Sequence, residues 1–410
     1  MTSSQSIDIG TPSISRRRAM GLIAGAGCSL LPVVVPAVTP AEVPPPGERF
    51  QLLYSFTRHG GHGHGAGWSP AAGLIQASDG YLYGTCMYGG AYGFGSIYRL
   101  DKPHHVHHVH SFAAPGANEG AVPQARLLQA SDGMLYGTTS VGYGTDDVFG
   151  TIFRVDSTGA FETLHRFRER DGGHCRAALV QGTDGNLYGT GWDAGDFQSG
   201  TLFRLTLAGG YTVLHALSPQ ADGQYLDAGL VEGSDGWFYG AAYQGGEIGW
   251  GTLFRISPAG AFQVIHQFDH ANGGAPRASL IFGADGLLYG TTEYGGPFDD
   301  GTVFRIRPDG SEYEVLYSFD RRNGMGALPA TPLLLGSDGR YYGTVGILLD
   351  VGTVFVLDDA FKPVVLHTFP VAWAPNGELL EIDGQALVGT LQDGCDQGFG
   401  GIYTLRRSAA

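Results

Sequence analysis

Three arginines stand at positions where a repeated phrase otherwise places mostly small or uncharged residues. Arg126, Arg176 and Arg277 are side chains that hold a carboxylate, sulfate or phosphate through paired N–H groups. Gln124, Asp227 and Glu378 interrupt the same phrase. The two acids could equally pair with the arginines inside the chain. His174 and Tyr225 lie close by in sequence and are residue types that accept or deliver a proton. An arginine that neutralises a substrate carboxylate, with a histidine or tyrosine that abstracts the adjacent proton, would make a polysaccharide lyase cleaving a uronic-acid polymer by β-elimination. Without that proton transfer, the same residues make a binding site for a glycan or an extracellular protein. Trp68, Trp192, Trp250 and Trp373 fall in neighbouring loops. Their flat rings with polar rims suit stacking on sugars, and they suit filling gaps between sheets equally well.

The elements that must position these residues come from one phrase written seven times. In its second copy it runs Leu127-Leu128-Gln129-Ala130-Ser131-Asp132-Gly133, Leu135-Tyr136-Gly137-Thr138, Gly150-Thr151-Ile152-Phe153-Arg154, Leu164-His165-Arg166-Phe167. The glycines of the Tyr-Gly-Thr segments, Gly84, Gly137, Gly189, Gly240, Gly290, Gly343 and Gly389, are spaced by 53, 52, 51, 50, 53 and 46 residues. Four short β-branched or aromatic segments per repeat of this length predict the blades of a propeller. Asp-Gly follows the first segment in every copy and supplies the positive φ of a tight turn. The seventh copy stops after Ile402-Tyr403-Thr404-Leu405, and its missing last segment stands at the other end as Leu53-Tyr54-Ser55-Phe56. The expected fold is therefore all-β, a seven-bladed β-propeller of four-stranded antiparallel blades. An N-terminal strand completes the last blade, so neither end of the ring is left as an open edge.

With strands a to d numbered from the hub outward, the a–b and c–d turns share one face and are short. The b–c and d–a loops share the other, upper face, where they are long and unequal, and function belongs on variable loops of a rigid scaffold. Aligning the lead-in to strand a gives one variable residue per blade: Ala71, Gln124, Arg176, Asp227, Arg277, Ala330 and Asn376. Two residues further on stand Gly73, Arg126, Ala178, Gly229, Ser279, Pro332 and Glu378. Both sets should rim the upper mouth of the central channel.

The segments Leu288-Tyr289-Gly290-Thr291-Thr292 and Gly301-Thr302-Val303-Phe304-Arg305, separated by a glycine-rich gap, resemble the GloVer tandem repeat. The resemblance covers about residues 50–407. It implies an exported β-propeller and no particular activity.

Residues 1–41 read as a twin-arginine-like signal, with Ser15-Arg16-Arg17-Arg18 ahead of an apolar run. Cleavage and a lipid anchor at Cys28 are both open. Residues 42–49 are a proline-rich linker, 50–407 the propeller and 408–410 a tail. A periplasmic or secreted monomer with no integral membrane domain is expected. The net charge of −15 disfavours nucleic acid and anionic membranes as partners. No cofactor is expected. Weak Ca2+ binding by the acidic b–c loops (Asp146-Asp147, Asp193 with Asp196, Asp299-Asp300, Asp393 with Asp396) stays open. Cys86, Cys175 and Cys395 are an odd set in which Cys86 could pair with Cys395. A histidine recurs in strand d (His110, His165, His215, His266, His367), with Tyr54 and Tyr317 in the other blades; repetition marks it as scaffold. His105 and His107 share a strand face and could hold a metal weakly, with no carboxylate expected beside them; a plain solvated edge is the simpler expectation. His59, His62 and His64 lie in a glycine-rich loop on the upper face.

Overall fold

A computed structural model describes residues 49–57, 66–112, 119–142, 148–346 and 351–407. The signal segment with Cys28, His59, His62, His64, Asp146-Asp147 and the tail lie outside them. The described chain forms seven four-stranded antiparallel sheets, six of them in simple sequence order. In blade three, for example, Val180–Gln181, Leu187–Gly191, Thr201–Leu205 and Tyr211–Ala216 are strands a to d. The seventh sheet takes Leu380–Ile382, Ala386–Leu391 and Gly401–Arg406 from the C-terminus and Arg49–Ser55 from the N-terminus. Phe50 pairs with Leu405 and Ser55 with Gly401, so the closure expected from the broken repeat is observed. No helix among the described residues is long and apolar enough to cross a membrane.

Physical reasons for the repeated residues are now visible. A Cβ on Gly189 would lie 2.5 Å from Cζ of Phe203, because the strand-c ring lies flat across strand b. Tyr188 donates its hydroxyl to Asp184 of the Asp-Gly turn at 2.7 Å, and five other blades repeat this bond. The strand-b threonine reaches the next blade: Thr190 Oγ1 donates to the Ala228 carbonyl at 3.1 Å, and Thr390 Oγ1 to Ala72 at 2.9 Å across the closure. Seven apolar clusters, each shared between two adjacent blades, form the core. Strand a is only two residues long in six blades, shorter than the repeated phrase suggested. Part of its lead-in backbone bonds to neighbouring blades instead of to a sheet.

Strand-d histidines do share a neighbour, and it is a ring. His165 stacks on Tyr211 at 3.7 Å, His215 on Phe262 at 4.1 Å, and His367 on Phe50 at 4.2 Å across the closure. Cys86, Cys175 and Cys395 are all buried and free. Cys86 and Cys395 sit in different inter-blade clusters, so they do not form the pair weighed from the sequence.

Candidate functional site at the channel mouth

Arg126 Nε lies 2.6 Å from Glu378 Oε2. These residues belong to blades two and seven, which flank blade one, so the ion pair bridges over blade one at the hub. Blade one permits it by having Gly73 in this ring, where a Cβ would meet the Glu378 carbonyl at 2.6 Å.

On blades three to five, the second charged group assembles around Asp227. Arg176 Nη1 lies 3.3 Å from Asp227 Oδ1, and Arg277 Nε lies 4.0 Å from Asp227 Oδ2. Arg277 Nη1 also faces Glu293 Oε2 at 3.8 Å. The Arg176 guanidinium lies 3.7 Å over the Trp192 ring, and Trp192 stacks on Tyr225 at 4.9 Å. All three arginines are thus matched by carboxylates, and the mouth carries balanced charge.

Glu293 is the residue that sequence reasoning missed. It stands directly after strand b, in a ring of equivalent positions that includes Met87, Ser140, Trp192, Tyr243, Gly346 and Gln392. This ring touches the variable one: Gln124 donates to Ser140 at 2.9 Å, and Asn376 donates to Gln392 at 2.7 Å. The available signal was a carboxylate at the variable position that directly follows the Gly-Thr-Thr phrase. Glu293 is only 4% exposed. Burial pushes its carboxyl up, against the pull of Arg277, and Tyr243 and Tyr294 lie beside it. Burial first and the Glu293 charge second hold both of those hydroxyls above their ordinary range. Two buried polar atoms in this group, Arg176 Nε and Trp192 Nε1, make no hydrogen bond within the protein. Buried polar atoms are nearly always paired, so two in one stack mark a place that a ligand could complete.

His174 and Tyr225 occupy a repeated backbone position. Ser69, Val122, His174, Tyr225, Ala275 and Leu328 all have φ between 47° and 65°, a region costly for residues other than glycine. Each N–H donates to a carbonyl in the preceding blade, from His174 to Phe149 at 2.6 Å and from Tyr225 to Ser199 at 2.9 Å. The inter-blade bond holds the turn, and the turn fixes the side chain. His174 Nδ1 lies 2.6 Å from Asp193 Oδ1, with its ring edge-on to Trp192 at 6.5 Å.

Among the four tryptophans, only Trp192 packs on this charged group. Trp68 packs on Tyr88 at 4.6 Å and Phe399 at 5.8 Å in the joint between blades seven and one. Trp373 packs on Phe369 at 6.5 Å. Trp250 packs on His270 at 4.0 Å, and its carbonyl is the inter-blade acceptor for Ala275. The acidic loops are partly committed elsewhere: Asp193 to His174, Asp299 to His270 and Asp300 to Arg321. Equivalent tips of the b–c loops expose Tyr92, Phe197, Ile248 and Phe298, a feature that the repeat had hidden as ordinary variation.

A family model described as the Gloeobacter/Verrucomicrobia repeat matches residues 39–247 and 177–403. The chain belongs to that repeat family. No curated protein matches it significantly. Among solved structures it is similar to a periplasmic gluconolactonase from Pseudomonas aeruginosa, with 18% identity, TM-score 0.50, and coverage of 80% of this chain and 99% of that one. A Bacteroides uniformis protein provisionally described as a 6-phosphogluconolactonase has 15% identity and TM-score 0.50, covering 78% of this chain and 95% of that one. At these identities the likeness is one of fold.

Proposed function

We propose that this is an exported binding propeller that holds a glycan of little net charge at its upper channel mouth, between blades three and five. The observation that carries the reading is the Arg176–Trp192–Tyr225 stack, in which the buried Arg176 Nε and Trp192 Nε1 make no hydrogen bond. Ring faces with a few convergent donors and acceptors are the composition of a sugar site. The balanced charge of the mouth favours a weakly charged ligand over a polyanion. The test is a glycan array followed by titration calorimetry of any hit. Trp192→Ala or Arg176→Ala should weaken binding about tenfold or more, roughly 1.4 kcal/mol. Absence of any hit, or unchanged affinity in both variants, would remove the reading.

The alternative of a lyase acting on a uronic-acid polymer draws on one geometric feature, the His174 imidazole oriented by Asp193 next to Trp192. Its weakness is that each arginine already has a carboxylate partner. Incubation with uronate polymers, read by the ultraviolet absorbance of unsaturated products, decides between them. Product lost on His174→Ala would favour the lyase.

A further inference from the structure

We propose a metal-binding site for a divalent transition ion such as Zn2+ on the outer rim of blade one, formed by Asp101, His105 and His107. Their ligand atoms lie within 4.8 Å of one another. His107 Nε2 is 2.5 Å and His105 Nδ1 3.8 Å from Asp101 Oδ2. Two imidazoles and a carboxylate are a ligand set that suits Zn2+ and leaves a coordination position open.

This arrangement departs from the scaffold at two linked points. In blades two, three, four and six, the residue after strand c caps the c–d turn. Asp156 accepts from the Thr158 and Ala160 amides, and Asp358 from Ala360 and Lys362. In blade one the amide equivalent to Thr158 belongs to Pro103, which has no N–H to offer. Strand c instead runs on to Lys102, and the register shifts between Leu100 and Lys102. Asp101 sits in that irregularity with its carboxylate turned toward strand d.

The second departure is across the sheet. Strand-c Arg154 and Arg305 bind strand-d Glu162 and Glu314. In blade one, Arg99 is paired in register with His107. An imidazole has replaced the carboxylate, and Arg99 Nε binds Asp101 Oδ1 at 2.6 Å instead. Arg99 also reaches Oδ2 with Nη2 at a longer 3.4 Å; the fork orients the carboxylate so that Oδ2 faces the two imidazoles, as outer partners of metal ligands do. Both histidine side chains are about half exposed, at 50% and 42%, so they can close on an ion by side-chain rotation. None of this uses the channel mouth.

The test is calorimetric titration of untagged protein with Zn2+, with Mg2+ as the hard-ion comparison, and Co2+ absorption as a report of coordination. One Zn2+ per chain and no Mg2+ binding are expected. His105→Ala, His107→Ala and Asp101→Asn should each weaken Zn2+ binding at least about tenfold, since even outer partners of a metal are worth that much. Zn2+ binding absent from the wild type, or equal in all three variants, would overturn the proposal. His105→Ala removes an exposed ring and serves as the decisive variant should Asp101→Asn disturb the hairpin.

Discussion

Glu293 shows how one side chain can cost stability where a site needs it. Its carboxyl is pushed above its ordinary value of 4.5 by burial, and Arg277 offsets only part of this. Protonation therefore favours the folded state. The destabilisation is absent below the ordinary value of 4.5 and grows as pH rises from there through the folded value. Glu293→Gln should raise the thermal unfolding midpoint near neutral pH and leave it unchanged in acid, while weakening glycan binding. A lower midpoint at neutral pH would mean that the Arg277 contact outweighs the burial. Glu293 was legible in principle, because it is the one carboxylate at the variable position that follows strand b. That Asp227 and Glu378 pair with the arginines was weighed from the sequence and is observed; which acid meets which arginine was not readable, because the Arg126–Glu378 contact joins residues 252 positions apart.

The strand-d histidines belong to the scale of the element. Each stacks on the first ring of the next blade's outer strand, so the ladder of rings ties neighbouring sheets at the rim. Burial lowers the pKa of His266 from 6.5 to about 4, and lowers His110, His165 and His367 in the same direction. The unfolded chain thus takes up protons at a higher pH than the folded one. Stability is full above pH 6.5 and is lost as pH falls from there toward 4. Midpoints followed by differential scanning fluorimetry across that window should fall for the wild type and fall less steeply for His266→Phe, which keeps the stack on Tyr313. Equal slopes would place the acid sensitivity in carboxylates instead. The element's type and face were readable from repetition. Its partner was not, because stacking depends on the rotation between adjacent blades. In strand b, Gly189→Ala should cost about 1–3 kcal/mol, seen in urea unfolding, since Phe203 has no room to withdraw. A loss near zero would show that the ring moves freely.

For the whole molecule, the closure is the point on which the ring depends. Arg49–Ser55 supplies the outer strand of blade seven; the Phe50–His367 stack ties that blade to blade six, and the Thr390–Ala72 bond ties it to blade one. A chain starting after Ser55 would expose the long edge Gly401–Arg406. It should lose its single cooperative unfolding transition and aggregate on size-exclusion chromatography; a soluble, cooperatively unfolding monomer would contradict the role given to this strand. Blade number, strand order and closure were determined by the sequence alone, because each repeat is one structural unit and periodicity records it directly. The arrangement at the mouth and at the blade-one rim was decided only by tertiary structure. There, Arg176, Asp227, Arg277 and Glu293 meet from three blades, and a proline and a strand irregularity turn Asp101 toward two histidines. Such contacts follow from the angles between sheets and from local breaks in register, which the repeat does not encode.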